Sequence, residues 1–143
     1  MTSKILCAVD GSPAADHAAA CAADLAKETG AALTFVNVNV MPSGRFARDD
    51  FWDETRLERR EAEDHVLLGQ VADCAQSHGI DRFNAVVIRG NRVDSALLSY
   101  AEDKGYDHIV MGSHITNGFR RLLEGSVSND VVLKAHIPVT VVH

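Results

Sequence analysis

Two stretches of the chain hold residues whose types and order suit a chemical task. Val110-Met111-Gly112-Ser113-His114 reads as an apolar strand running into a glycine turn. Gly125-Ser126-Val127-Ser128 reads as the opening of a helix, reached through a loop that carries Arg120 and Arg121. Strand, turn, basic loop and helix start together make an anion site. The first N–H groups of a helix have no partner within it, and the helix dipole favours negative charge there. A hydroxyl at Ser126 can cap such a helix and still donate to a phosphate oxygen. The pattern points to a phosphate-bearing ligand; its bland alternative is a helix cap and nothing more. Arg120 and Arg121 either touch that ligand or are simply solvated.

Catalytic patterns are absent from the sequence. It has no Gly-x-Ser-x-Gly elbow, no phosphate loop ending Gly-Lys-Ser/Thr, and no cysteine–histidine spacing that marks a nucleophile. The histidines at 17, 65, 78, 108, 114, 136 and 143 form neither His-x-x-x-His nor His-Glu-x-x-His, so no metal site is expected. Seven of the 20 acidic residues fall on the charged segment that begins at Asp53.

With 143 residues, the chain has the size of one domain with a sizeable core. Its 46% hydrophobic and 24% charged content is that of an ordinary globular protein. A formal charge of −6 argues against nonspecific nucleic-acid binding, which needs a basic surface. No apolar run reaches the ~20 residues of a membrane span. Met1-Thr2-Ser3-Lys4 leads directly into a strand-like run without the pattern of a secretory leader. Cys7, Cys21 and Cys74 are odd in number and widely spaced, as expected of buried free thiols in a reducing cytoplasm.

The elements that must position the two stretches alternate strand and helix. Ile5–Val9 is a short apolar run suited to a strand covered on both faces. Asp10-Gly11-Ser12-Pro13 ends it, with Ser12 as N-cap and Pro13 at the first helical position. An alanine-rich helix follows over 13–29, with Gly30 just beyond its end. Strand 32–40 precedes a loop over 41–51 and a charged helix over 53–77, whose first half reads as a solvated face. Strand 83–88, a turn at Arg89-Gly90-Asn91, helix 93–104 stopped by Gly105, strand 107–111, helix 126–135 and strand 139–142 complete the series. Such alternation implies right-handed crossovers and a parallel sheet inside a three-layer α/β/α sandwich, Rossmann-like in kind. Ligands of these sheets sit at the carboxyl ends of the strands, where strand order reverses. Asp10 and Gly112 both lie just past strand ends and share one crevice if the first and fourth strands are neighbours. Phe46, Phe51 and Trp52 in the long loop either cover that crevice or a partner, or act as a hydrophobic staple for the helix that follows. No repeat or linker divides the chain, so residues 1–143 are expected to form a single domain.

Three signatures, in order, resemble the universal stress protein family. They are Ile5-Leu6-Cys7-Ala8-Val9-Asp10-Gly11-Ser12, then Asp107-His108-Ile109-Val110-Met111-Gly112-Ser113-His114, then Leu122-Leu123-Glu124-Gly125-Ser126-Val127-Ser128 followed by His136-Ile137-Pro138-Val139-Thr140-Val141-Val142. The resemblance spans nearly the whole chain apart from 41–77. It implies an adenine nucleotide alpha hydrolase-like fold with a five-stranded parallel sheet of order 3-2-1-4-5, and a homodimer paired through Val139–Val142. That strand would otherwise be an open edge, and edges invite pairing; the alternative is an edge blunted by shortness and by Pro138.

Members that bind ATP carry Gly-x-x-Gly, nine residues, then Gly-Ser or Gly-Thr; others lack this loop. Here Gly112 is followed by Ile115 where the second glycine belongs, and Gly125-Ser126 comes after nine residues. If that position needs positive φ, a β-branched residue is an outlier. Either the loop takes another path or the site is partly dismantled; Asn117-Gly118 supplies a glycine in a shifted register.

By resemblance, Asp10 lies near the adenosine part of the ligand, though it also suits a turn and cap. Val38 matches a residue packed on adenine, and equally an ordinary core residue. Met111 and Gly112 match the turn beneath the nucleotide. His114 matches a loop residue beside the phosphates, and Gly125, Ser126, Val127 and Ser128 match the phosphate-binding helix start.

Three functional expectations follow. The first is a small cytoplasmic, homodimeric regulator of stress survival that binds an adenine nucleotide (ATP, or AMP or ADP) and acts through protein partners, with Mg arriving only on the nucleotide. The second is a nucleotide-free homodimer with the loop disabled by Ile115. The third is a weak ATPase; the chain is otherwise not expected to be an enzyme.

Overall fold

The computed structural model describes residues 3–40, 54–113 and 126–143. The elements are β1 (Lys4–Ala8), α1 (Pro13–Thr29), β2 (Ala32–Val40), α2 (Glu54–Ser77), β3 (Asn84–Gly90), α3 (Val93–Asp103), β4 (His108–Gly112), α4 (Ser126–Lys134) and β5 (Val139–Val142). Five strands form one sheet of order β3-β2-β1-β4-β5. Every neighbouring pair is parallel, as the alternation of elements requires.

Local chemistry sets the helix ends. At the start of α1 the Ser12 hydroxyl accepts the Ala15 N–H at 3.2 Å, and Pro13 opens the helix. Gly30 closes it in the left-handed region at φ 73°, where a side chain is strained. Between these caps Ala15, Ala18, Ala19, Ala22, Ala23 and Ala26 are buried. Their spacing of three and four makes a stripe of methyl groups, which lets the helix backbone lie close on the sheet.

Two cores flank the sheet. On one face Ile5, Cys7, Val9, Leu33, Phe35 and Val110 pack under α1 and the second half of α2. On the other, Leu6, Ala8, Val36, Ile109 and Met111 pack under α3 and α4, meeting Leu97 and Val131. Alternation along each strand divides them. Polar side chains bridge distant parts of the interior: the Tyr106 hydroxyl donates to Thr34 Oγ1 at 2.7 Å, and Asn37 Nδ2 donates to the Val9 carbonyl at 2.8 Å.

Some expectations shift. The expected turn at Arg89 and Gly90 is strand, because both residues pair with the end of β2 as Asn39↔Arg89 and Val40↔Gly90. Gly90 suits this place because a Cβ there would sit 2.8 Å from Ala96 Cβ at the start of α3. All three cysteines are free, yet only Cys7 is buried; Cys21 and Cys74 are half-exposed. Burial pushes the Cys7 thiol far up, so it packs as a neutral apolar group. Among the described residues no helix is long and apolar enough to cross a membrane. The expected loop over 41–51, with Phe46 and Phe51, lies outside the described residues, as do Trp52 and Asp53, and nothing is described of the side chains over 54–64, on which the solvated-face reading rests.

Candidate functional site

The chain leaves β1 towards β2 and β3 on one side, then returns to β4 and β5 on the other. Strand order therefore reverses between β1 and β4, which pair as Ile5↔His108, Leu6↔Ile109 and Cys7↔Val110. In sheets of this kind the switch point is where a crevice opens at the carboxyl ends of the strands. Asp10 lies two residues past the end of β1, and Gly112 is the last residue of the neighbouring β4.

Asp10 closes a tight turn. Its Oδ1 accepts the Ser12 N–H at 2.9 Å, and Gly11 follows at φ 84°. The turn aims the start of α1 over the sheet. Val38, on β2, is half-buried against the α3-side core beside Val40, Val86 and Ile88. These four residues form an apolar wall at the carboxyl end of the sheet. Val40 and Ile88 were not singled out by motif; strand register puts them there.

Met111 is wholly buried, so its side chain belongs to the core and only its backbone can face the crevice. Gly112 has a structural reason of its own. A Cβ there would lie 2.8 Å from the carbonyl carbon of Ala14 and 2.9 Å from its Cβ. The close seating of α1 on β4 thus requires glycine, with no appeal to positive φ.

Ser126 is the first residue of α4. Val127 is half-buried against the α3-side core. Ser128, in the first turn, is buried, and its hydroxyl donates to the Ser113 carbonyl at 3.2 Å. Ser113 in turn donates its N–H to the Val142 carbonyl at 2.9 Å, extending the β4–β5 ladder past the end of β4. The helix start is thereby tied to the end of β4. The first N–H groups of a helix have no partner within it and carry the partial positive charge that suits an anion. His114, Ile115, Asn117, Gly118, Arg120, Arg121 and Gly125 lie outside the described residues.

The motif reading passed over a charged cluster between α3 and α4. Asp94 in the first turn of α3 is buried, with its side chain 4% exposed. It accepts from Arg92 Nε at 3.0 Å and from Lys134 Nζ at 2.8 Å, while Arg92 also reaches Asp130 at 3.4 Å. Burial alone pushes the Asp94 carboxyl up. Hydrogen bonds from Arg92, Lys134 and the Ser95 N–H outweigh this and hold it at about 2. In the sequence Asp94 looks like any acid in a helix's first turn; only the approach of α4 reveals the clamp.

A separate cavity of about 270 Å³ lies near the carboxyl end of α3, lined by Leu98, Ala101, Lys134, His136 and Ile137. None of the site residues expected from the sequence lines it. Among the described residues no group of three or more His, Cys, Asp or Glu side chains is placed to hold a metal ion.

This sheet order, reversing between β1 and β4 with a helix start tied to the end of β4, defines a doubly wound class of α/β fold. Residues 1–143 match the universal stress protein family, and the chain belongs to it. A universal stress protein of Methanocaldococcus jannaschii is 32% identical over 140 residues, covering 97% of this chain and 81% of the relative. Among solved structures, a universal stress protein in complex with cAMP superposes with a TM-score of 0.74 at 22% identity, covering 99% of this chain and 97% of that one. The universal stress protein of Archaeoglobus fulgidus in complex with dAMP superposes with a TM-score of 0.69 at 19% identity, covering 100% and 98%. At such identities these two likenesses establish a shared fold.

Proposed function

We propose that this universal stress protein binds an adenine nucleotide in the crevice between β1 and β4, and that the bound state alters its association with protein partners. One observation carries the reading. The first turn of α4 is fixed to the end of β4 through Ser128 and Ser113, so a helix N-terminus borders the crevice where a phosphate would rest. The apolar wall of Val38, Val40 and Ile88 suits a base, and Asp10 with its turn lies at the end of β1 beside it. That related folds are known with cAMP and dAMP supports the choice of an adenine nucleotide; ATP, ADP and AMP are the ligands to try, with Mg carried on the phosphates.

The same reading includes a homodimer through β5. Among the described residues this strand pairs with β4 alone, and its four residues are all half-buried. Beside it on α4, Val132 and Leu133 are 50% and 81% exposed. An open edge flanked by exposed apolar side chains is a surface that pairing would cover.

A second reading, a homodimer without nucleotide, is favoured by Ile115 in place of the second glycine of the ATP loop. Isothermal titration of the native chain and of Ile115→Gly with Mg-ATP and with AMP separates the two. Micromolar binding by the native chain supports the nucleotide reading. Binding by Ile115→Gly alone makes Ile115 the block, and silence from both removes nucleotide binding altogether. Turnover of ATP in the same samples would favour a weak ATPase.

A further inference from the structure

Helix geometry separates the two exposed apolar side chains of α4. Val131 is wholly buried against the sheet, and successive residues of an α-helix turn by about 100°. Asp130 and Lys134 face α3, where they meet Arg92 and Asp94. Val132 is therefore on the opposite flank, towards the open edge of β5, since α3 lies over β2 and β3. Leu133 is on the crest of the helix, turned away from the sheet and 81% exposed. Pairing through β5 would cover Val132 and leave Leu133 in water.

Beside that crest, between α3 and α4, lies the cavity of about 270 Å³. Leu98 and Ala101 of α3, Ile137 before β5, and Lys134, whose ammonium is held by Asp94, form its walls. A cavity of ~150 Å³ already admits a benzene-sized group, and small-molecule sites run to ~300–1,000 Å³. This one therefore suits one or two aliphatic side chains better than a cofactor. Glu102 on α3 and His136 beyond the end of α4 also line it, and both are exposed. Among the described residues neither side chain has a hydrogen-bonding or ionic partner. The rim thus carries an unanswered acceptor and an unanswered donor, since an imidazole in either protonation state offers an N–H to a carboxylate.

We infer that this face binds a second copy of the chain, with the Leu133 crest of each copy entering the α3–α4 cavity of the other. Leu133 precedes Lys134, a lining residue, so crest and cavity belong to the same end of one helix. A two-fold axis matches them reciprocally, as a contact between identical patches requires. A helix crest set into the groove between two helices is an ordinary mode of packing. The same axis brings Glu102 of each copy to the end of α4 in the other, where His136 is the donor. An apolar ligand would fill the cavity but leave that carboxylate unanswered. The contact is separate from β5 pairing and does not rest on nucleotide binding. It is small beside the ~1,200–2,000 Å² of a stable complex, so the association is transient, with a Kd on the order of 0.1–1 mM.

Sedimentation equilibrium of the full chain, at loadings below and above that Kd, tests the contact with Leu133→Asp, Glu102→Lys and the double variant Glu102→Lys/His136→Glu. All these positions are exposed, so thermal unfolding should be unaltered. The native mass should double from whichever unit is present at low concentration. Leu133→Asp should weaken that step by at least about tenfold. Glu102→Lys should weaken it by about threefold, and the double variant should recover most of the loss, a coupling that distant sites do not show. A native chain that keeps one mass throughout overturns the inference and gives the cavity to an apolar ligand or another protein. Equal association by the native chain and Leu133→Asp also overturns it. An unchanged Glu102→Lys, or a double variant without rescue, overturns the pairing across the rim. Failure of β5 pairing changes only the starting unit from dimer to monomer, so the two contacts fail separately.

Discussion

Asp94→Asn removes the charge at the centre of the α3–α4 clamp while keeping the shape of the side chain. In the native fold the Asp94 carboxyl titrates at about 2, against an ordinary value of 3.8. Each pH unit of difference corresponds to ~1.4 kcal/mol, so ionised Asp94 favours the folded chain by roughly 2 kcal/mol at neutral pH. The partners are half-exposed, Arg92 at 61% and Lys134 at 53%, so they regain water when the carboxylate is lost. The variant should therefore be about 2 kcal/mol less stable at pH 7, which for a chain of this size lowers the melting temperature by roughly 4–8 °C. The sign with pH follows from a depressed carboxyl. The stabilisation is fully present above the unfolded value near 3.8 and fades as pH falls towards 2. Urea unfolding of both proteins at pH 7 and pH 3 gives the measurement, and the gap at pH 3 should shrink to about half. A gap that is the same at both pH values, or below about 0.5 kcal/mol at pH 7, within the range of an ordinary surface substitution, would refute the reasoning.

Two further outcomes follow from close packing and from the open edge. Gly112→Ala places a methyl group 2.8 Å from the backbone of Ala14, and such overpacking should cost about 1–3 kcal/mol in urea unfolding; a neutral result would mean that α1 sits farther from β4. In β5 the Pro138 and Val142 carbonyls point to β4, so Val141, one residue out of phase, turns its N–H to the open edge. Val141→Pro removes that donor and should convert a dimer to a monomer in analytical ultracentrifugation. A native chain that already sediments as a monomer would end the β5 dimer reading.

Local sequence made much of the fold legible. Ser12, Pro13 and Gly30 mark the ends of α1 because capping depends on a few adjacent residues. The alternation of apolar runs and helical stripes defines the order of elements and implies a parallel sheet. The end of β3 was harder to read. Arg89 and Gly90 look like a turn, yet the neighbouring strand β2 supplies ladder partners that keep them extended. Long-range pairing overrides local preference there.

The candidate site was legible only in outline. The motif residues Asp10, Gly112 and Ser128 lie near the ends of β1 and β4 and in the first turn of α4, but their side chains have structural duties that no spacing reveals. Asp10 braces its own turn, Gly112 admits α1, and Ser128 holds the end of β4. By itself the sequence determined the kinds of elements, their order and the family. These follow from periodicity, caps and short motifs, which are properties of neighbours along the chain. Tertiary structure alone decided that Ser113 keeps a buried hydroxyl without a partner among the described residues and that Asp94 is clamped between two cations. It also decided that Gly112 has no room for a side chain. Each of these depends on atoms many residues away brought within about 3–4 Å, and desolvation and close packing act only at that range.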